Sequence, residues 1–462
     1  MNKNLKILFI ALLALAVAVP AMAAEFTFNG DLNNRFLLYT DQAGFFNTNP
    51  ANAELDVDDD RADSFGEIKY RLWTTMSTDD GAIKGVFAIE VGGLKYGQNN
   101  SADRGGDGTF SGDGVNIETR WFYTDFQIPS IESKARVQMG LLPHTVNKFF
   151  WSETAMGVKF YTDNWYLAWI RGKTDGFGTS AGQDWGDNEL DSINARYDLK
   201  MEPVKLGFFL SYLWESTSAP TTSFDPVVHS EVKGFPAQTD FDLFAFGVDG
   251  SWSTATDWGK LFINWDGIYE TGTVNDVGVA GNDLDIGAYL VHADIGLNFG
   301  KATVTYTVWY ASGDDNDTDD SLDNFMSVDV DFFESFIFQE SLADDNAFFE
   351  GPYISDKGLF FNKLALDYAV DAKLKLGGAV IYHLLAEDIE LANGSKEDTL
   401  GFELDVYGSY KIYKNLEFRV NIGYLASGDA MDIFETGTSS DAGNGSGDVD
   451  IFRSDARVRY SF

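Results

Sequence analysis

Four histidines and no cysteine limit the chemistry open to this 462-residue chain. His144, His229, His292 and His383 are scattered, with no two at metal-ligand spacing and none joined by spacing to a serine or aspartate nucleophile. The missing cysteine excludes a disulfide framework, c-type haem attachment, and cysteine-ligated zinc or iron–sulfur centres. No enzyme activity and no cofactor are therefore expected. One metal candidate stands: Asp315, Asp317 and Asp319 alternate as D-x-D-x-D, a spacing that suits calcium. Asp320 and Met326 occupy the positions where an EF-hand loop has its glycine and its terminal glutamate, so only an isolated structural calcium fits.

The other residues able to act as a group are cations. Arg35, Lys69, Arg71, Lys84, Arg136, Lys411, Arg419, Arg453, Arg457 and Arg459 fall on one face of successive alternating segments, interleaved with Glu67, Glu90, Glu403, Asp405 and Asp455. They read either as local ion pairs or as a basic wall that orders polar solutes by its field. The formal net charge of −39 rules out nucleic acid as a partner, because phosphates would be repelled.

The elements that must position these groups are strands. From Leu416 to Tyr424 the even positions are Leu, Phe, Val, Ile and Tyr, while the odd ones are Glu, Arg, Asn and Gly. The same rule runs through Leu400–Ile412 and Ala302–Tyr310. Alternation of this kind puts one face on an apolar medium and the other on water. The runs reach the ~9–11 residues that a tilted membrane strand needs, longer than the five or six usual in soluble sheets.

The N-terminus agrees. Lys3 and Lys6 precede an apolar run from Leu8 to Val19, followed by Pro20-Ala21-Met22-Ala23-Ala24. This is the pattern of a signal peptide cleaved before Glu25, and the run falls short of the ~20 residues of a membrane helix. Residues 1–24 are read as that signal peptide and 25–462 as one domain. Loss of the two lysines takes the net charge from −39 to −41.

Short turns recur at Thr78–Ala82, Pro129–Lys134, Asp163–Asn164, Met201–Pro203, Thr256–Gly259, Gly300–Lys301, Val370–Ala372 and Tyr413–Asn415. Between them lie Asp-, Gly-, Asn- and Ser-rich loops centred near 52, 105, 148, 180, 227, 277, 335, 392 and 439. Eight turns and nine loops join eighteen strands. Weak alternation near Arg120 and Trp165 leaves sixteen as the alternative. The expected fold is all-β: a transmembrane antiparallel β-barrel with short periplasmic turns and long extracellular loops.

The chain ends Arg-Val-Arg-Tyr-Ser-Phe, with Val458, Tyr460 and Phe462 on the outward face. This resembles the signal read by the barrel-assembly machinery of Gram-negative bacteria, and the whole mature chain resembles the porin superfamily. In strand count it is most similar to eighteen-stranded substrate-selective and alginate-export-type channels. The resemblance implies location in the outer membrane among its lipids, and a water-filled channel for passive diffusion of small polar solutes and ions. Monomer and homotrimer stay open. So do a sheath around an electron-transfer conduit and a channel for hydrophobic or oligosaccharide substrates.

It also implies where to look for a constriction. Residues 142–155 follow the fifth strand, from which porins fold a loop into the barrel, and carry His144, Lys148, Phe149, Trp151 and Glu153. Such large side chains on an exposed loop would be costly unless they pack inside. Residues 314–357 hold fourteen acidic residues against one lysine, yet also seven phenylalanines and Ile337 between positions 325 and 349. That composition is too hydrophobic for disorder, so the segment is expected to fold as a cap or a flap.

Overall fold

Alternation in the sequence becomes two faces of a wall. On the strand Lys396–Tyr413, Phe402, Leu404 and Val406 are 45%, 46% and 54% exposed, whereas the intervening Glu403 and Asp405 are 0% and 5%. The computed structural model describes residues 25–40, 62–96, 117–129, 134–173, 189–216, 240–277, 282–316, 319–330, 333–339, 351–391, 394–434 and 450–462. Residues 1–24, read above as a signal peptide, lie outside them.

Twenty-one strands follow in chain order: β1 (Glu25–Thr40), β2 (Ala62–Ser77), β3 (Ile83–Lys95), β4 (Glu118–Gln127), β5 (Arg136–Asn147), β6 (Trp151–Tyr161), β7 (Trp165–Lys173), β8 (Glu189–Met201), β9 (Val204–Ser216), β10 (Asp240–Thr256), β11 (Gly259–Val277), β12 (Asn282–Ile286), β13 (Tyr289–Phe299), β14 (Ala302–Ala311), β15 (Ser321–Leu322), β16 (Asp329–Val330), β17 (Leu359–Ala369), β18 (Leu374–Glu390), β19 (Lys396–Tyr413), β20 (Leu416–Ser427) and β21 (Ile451–Ser461). Eighteen of them pair antiparallel with their neighbours in sequence, and β1 pairs with β21 to close the ring. The remaining three, β12, β15 and β16, are short; β12 pairs with β15 and β16 with β6, both in parallel. Among the described residues there is no α-helix, and no helix is long and apolar enough to cross a membrane. Full closure removes every strand edge, which is what lets strands sit in hydrocarbon.

The outward face carries an apolar belt that includes Phe36, Phe122, Met156, Leu167, Leu210, Phe246, Ile295, Leu364, Val380 and Ile422. A soluble protein does not expose a band of this extent. The belt has the character of the lipid-facing surface of a transmembrane barrel. The eighteen-strand count replaces the sixteen-strand alternative. Weak alternation near Trp165 has a physical cause: Tyr166, Ala168 and Ile170 face inward but are apolar or aromatic, because protein rather than water lies behind them. Near Arg120 the register of β3 and β4 shifts between Ala88 and Ile89.

Tight turns are chemically specified. In the β2–β3 turn, Asp80 accepts from the Thr78 hydroxyl at 2.6 Å and the Ala82 N–H at 3.0 Å, which holds its carboxyl below the usual carboxylate range. That contribution is present above the ordinary carboxylate pKa and is lost as pH falls through the depressed one. Gly81 then takes φ +66°, the left-handed region open to glycine. Two connections expected to be long are short. Residues 148–150 form a three-residue turn between β5 and β6, and between β18, which ends at Glu390, and β19, which begins at Lys396, the Gly394 N–H donates to the Leu391 carbonyl.

The barrel seam rests on the last residue. The Phe462 N–H donates to the Gly30 carbonyl and the Gly30 N–H to the Phe462 carbonyl, both at 3.0 Å. The Phe462 ring stacks on Tyr460, with centroids 5.7 Å apart. Deleting Phe462 is expected to lower the yield of heat-modifiable barrel on gels and raise degraded protein. A normal yield would show that the terminal aromatic does not drive assembly.

Candidate functional site in the lumen

The barrel interior is crossed by its own chain. β5 and β6 pair with each other along their whole length, but β4 bonds β5 only up to Leu141 and β7 bonds β6 only from Met156. Beyond those points the hairpin leaves the wall. Its tip reaches strands on the far side: Asn147 Nδ2 donates to Asp266 Oδ1 on β11 at 2.6 Å, and the Phe149 ring lies 4.9 Å from His292 on β13 and 6.0 Å from Trp309 on β14. Arg196 of β8 donates to the Val146 carbonyl at 2.9 Å, and the Tyr166 hydroxyl to the Thr145 carbonyl at 2.8 Å.

The segment 142–155 therefore runs inside the barrel, and it is a hairpin and not a long loop. The Asn147 side chain makes the turn by accepting the Phe149 N–H at 2.9 Å. His144 is buried between the rings of Trp151 and Tyr166, 4.8 and 5.8 Å away. Phe149 and Trp151 are buried. Lys148 stays exposed, its ammonium 4.6 Å above the Phe149 ring, and Glu153 lies 3.5 Å from Arg120.

A second inward element comes from the segment after β14. The Val328 N–H donates to the Phe150 carbonyl at 2.8 Å, and β16 continues this by pairing with β6. The Met326 N–H donates to Glu270 at 2.9 Å. Phe325, Phe336, Ile337, Phe338 and Tyr353 are buried in one apolar cluster with Phe149, Trp309 and Phe361. Inside a barrel whose lumen is normally polar, this cluster is a partition. Asp315 and Asp319 of this segment are exposed, and Asp319 already accepts from the Ser321 N–H and Asn316. Asp317 lies outside the described residues.

Two cavities flank the partition. One, of about 560 Å³, lies along β1, β2, β20 and β21 against residues 333–336. Of the expected wall, Lys69, Arg71, Arg419, Arg457 and Arg459 line it, and Lys363 joins them, against Asp31, Glu334 and Asp405. Six cations against three carboxylates make this wall positive. Glu90, just behind, binds Arg71 at 2.5 Å, Arg120 at 2.8 Å and Lys69 at 3.4 Å, while Asp31 holds Arg459 at 3.0 Å.

The other five expected members do not line this cavity. Arg35 and Arg453 face inward but are 1% and 0% exposed; Arg35 is held by Glu67, and Arg453 lies 5.1 Å from the Phe336 ring. Arg136 ties β5 to the first turn through Asp125 at 2.7 Å and the Gly81 carbonyl at 3.2 Å. Lys84 and Lys411 sit near the turn ends of β3 and β19.

The second cavity, of about 610 Å³, lies against the hairpin and is lined by Lys148, Arg196, Lys200, Lys205, Asp198 and Asp249 among others. Arg196 is bound there by Asp249 at 2.6 Å and Asp198 at 2.9 Å. Sequence reasoning missed Arg196, Lys200 and Lys205, although Ser192, Asn194, Arg196, Asp198 and Lys200 alternate inward along β8.

No protein-family model matches this sequence, and no curated protein matches it. Solved structures do match in shape. The outer membrane protein OpdK from Pseudomonas aeruginosa aligns with TM-score 0.52 at 12% identity, over 94% of this chain and 98% of OpdK. Pseudomonas aeruginosa OpdL aligns with TM-score 0.50 at 11% identity, over 95% of this chain and 99% of OpdL. At such identities the likeness concerns architecture, and architecture it settles: this chain has the eighteen-stranded fold of outer-membrane porins.

Proposed function

We propose that this protein is a porin of the Gram-negative outer membrane, through which small hydrophilic solutes and ions diffuse passively. The observation that carries the reading is the basic cavity beside the lumen partition, where Arg71, Arg419 and Arg457 converge from β2, β20 and β21. In a narrow lumen with low-dielectric walls such charges act further than in bulk water. Anionic groups are favoured along this wall. The net charge, −39 and −41 without Lys3 and Lys6, draws cations to the outer mouth, so net selectivity is weak. A sheath around an electron-transfer partner would need a lumen cleared of the hairpin and of Phe325, Phe336, Ile337 and Phe338, which pack with it in one apolar cluster here.

Replacing Arg71 and Arg419 together by alanine is expected to shift reversal potentials toward cations. The shift should be largest at low salt, where the screening length is ~30 Å at 0.01 M against ~3 Å at 1 M. Ion preference untouched at low salt would leave these residues as local lumen ion pairs.

A further inference from the structure

Glu403 and Asp405 face the lumen from β19; Asp405 borders the basic cavity, while Glu403 lies behind it. Glu403 is fully buried, and its carboxylate accepts three consecutive backbone N–H groups, from Phe336 at 2.8 Å, Ile337 at 2.6 Å and Phe338 at 3.3 Å. Successive amides converging on one point form an anion-binding concavity. Here the chain's own carboxylate fills it. Asp405 also accepts the Phe336 N–H at 3.2 Å, and His383 Nε2 lies 3.1 Å from Glu403 Oε2. From the same wall two strands away, in register with Glu403 through Ile381, Lys363 Nζ of β17 donates to the Glu334 carbonyl at 2.7 Å and its carboxylate at 3.0 Å.

Side chains complete the seat. Phe338 lies 4.5 Å from the His383 ring, and Phe336 lies beneath Arg453. At Gly423 of β20 a Cβ would come within 2.9 Å of the Phe336 ring and 3.0 Å of Ile337 Cγ1, so a missing side chain makes the room. Residues 333–336 meanwhile line the basic cavity. The segment 333–339 is thus a strap laid across the inner wall. Its backbone is held by side chains of wall strands, with no β-ladder to the wall.

We infer that Glu403, with Asp405 and Lys363, is a latch that keeps this strap down and the channel narrow, and that its release widens the path beside the basic wall. The inference rests on the channel reading above. Hydrogen bonds to a charged acceptor are roughly twice as strong as neutral ones, so the grip depends on one ionised side chain. An apolar contact of equal area would not respond to a single change of charge.

Single-channel recording in planar bilayers tests it. The wild-type barrel is expected to show a main conductance with rare excursions to a higher level. Glu403→Gln keeps the shape and one acceptor oxygen but removes the charge. The share of time at the higher level should rise about tenfold, the change expected from weakening one charge-assisted hydrogen bond. The chain has no cysteine, so Ile337→Cys with Gly423→Cys creates a unique pair: a Cβ at 423 comes within 3.0 Å of Ile337 Cγ1, the atom that a sulfur at 337 would replace. Oxidised, this lock should abolish the higher level even beside Glu403→Gln, and a reductant should restore it. An unchanged share of time in Glu403→Gln, or a higher level that persists under the oxidised lock, overturns the latch. If Glu403→Gln does not assemble, the double-cysteine barrel decides alone: gating indifferent to oxidation and reduction overturns the inference. Assembled barrels that carry no current in any state overturn the channel reading instead.

Discussion

Replacing Glu67 by alanine is expected to destabilise the barrel by roughly 3–5 kcal/mol, the cost of removing one partner from a buried ion pair. Glu67 stands directly opposite Arg35 across the β1–β2 ladder, and the two side chains are 4% and 1% exposed. On its other side Arg35 stands opposite Arg457 of β21. Without the Glu67 carboxylate, the buried guanidinium would lose the charge paired with it across the β1–β2 ladder, while the like charge of Arg457 stays opposite and Asp455 is left as the nearby carboxylate. Urea unfolding of the refolded barrel, followed by gel mobility, reads the loss as a lower midpoint. The pair Arg35→Met with Glu67→Leu should recover most of it, because apolar side chains of similar volume often match a buried ion pair. An unchanged midpoint in Glu67→Ala would mean that Arg35 is solvated, and that the wall at this position is open to the lumen.

The second large effect is a depth profile on the outer face of β20. Ile422 lies midway along the strand and Phe418 near its turn end, and they are 42% and 37% exposed. Ile422→Arg should cost roughly 2–4 kcal/mol and Phe418→Arg only about 0–1, because the penalty for a cation falls from the bilayer midplane to the interface. Equal costs at both positions would contradict the assigned membrane level, and no cost at either would contradict a lipid-facing surface.

The wall was legible in the sequence because alternation is a local property. Glu403 and Asp405 between Phe402, Leu404 and Val406 announce their faces without knowledge of any neighbour. Depth is another matter. Alternation turned Arg35, Arg71, Arg419 and Arg453 inward alike, yet two are buried and two line a cavity. For Arg35 the cause is its ion pair with Glu67, and for Arg453 it is the strap: Phe336 seats beneath it although the two stand 117 positions apart in the chain. No pattern around Arg453 encodes that. The constriction was half legible. The apolar residues of 142–155 require burial, and the interior is where they go. Their hairpin form was hidden, because a hairpin that packs in a core is apolar at positions where a lumen wall would be polar. Val146, Phe149, Phe150 and Trp151 break the alternation for that reason.

The same partition makes the channel reading a demanding one, since water has to pass an apolar core that includes Phe149, Trp309 and Phe338. Conductance of the purified wild-type barrel in planar bilayers tests this most directly. Stepwise current increments are predicted, with a reversal potential close to zero in a salt gradient because mouth and wall oppose each other in sign. Folded, heat-modifiable barrels that insert into the bilayer and pass no ions would contradict it.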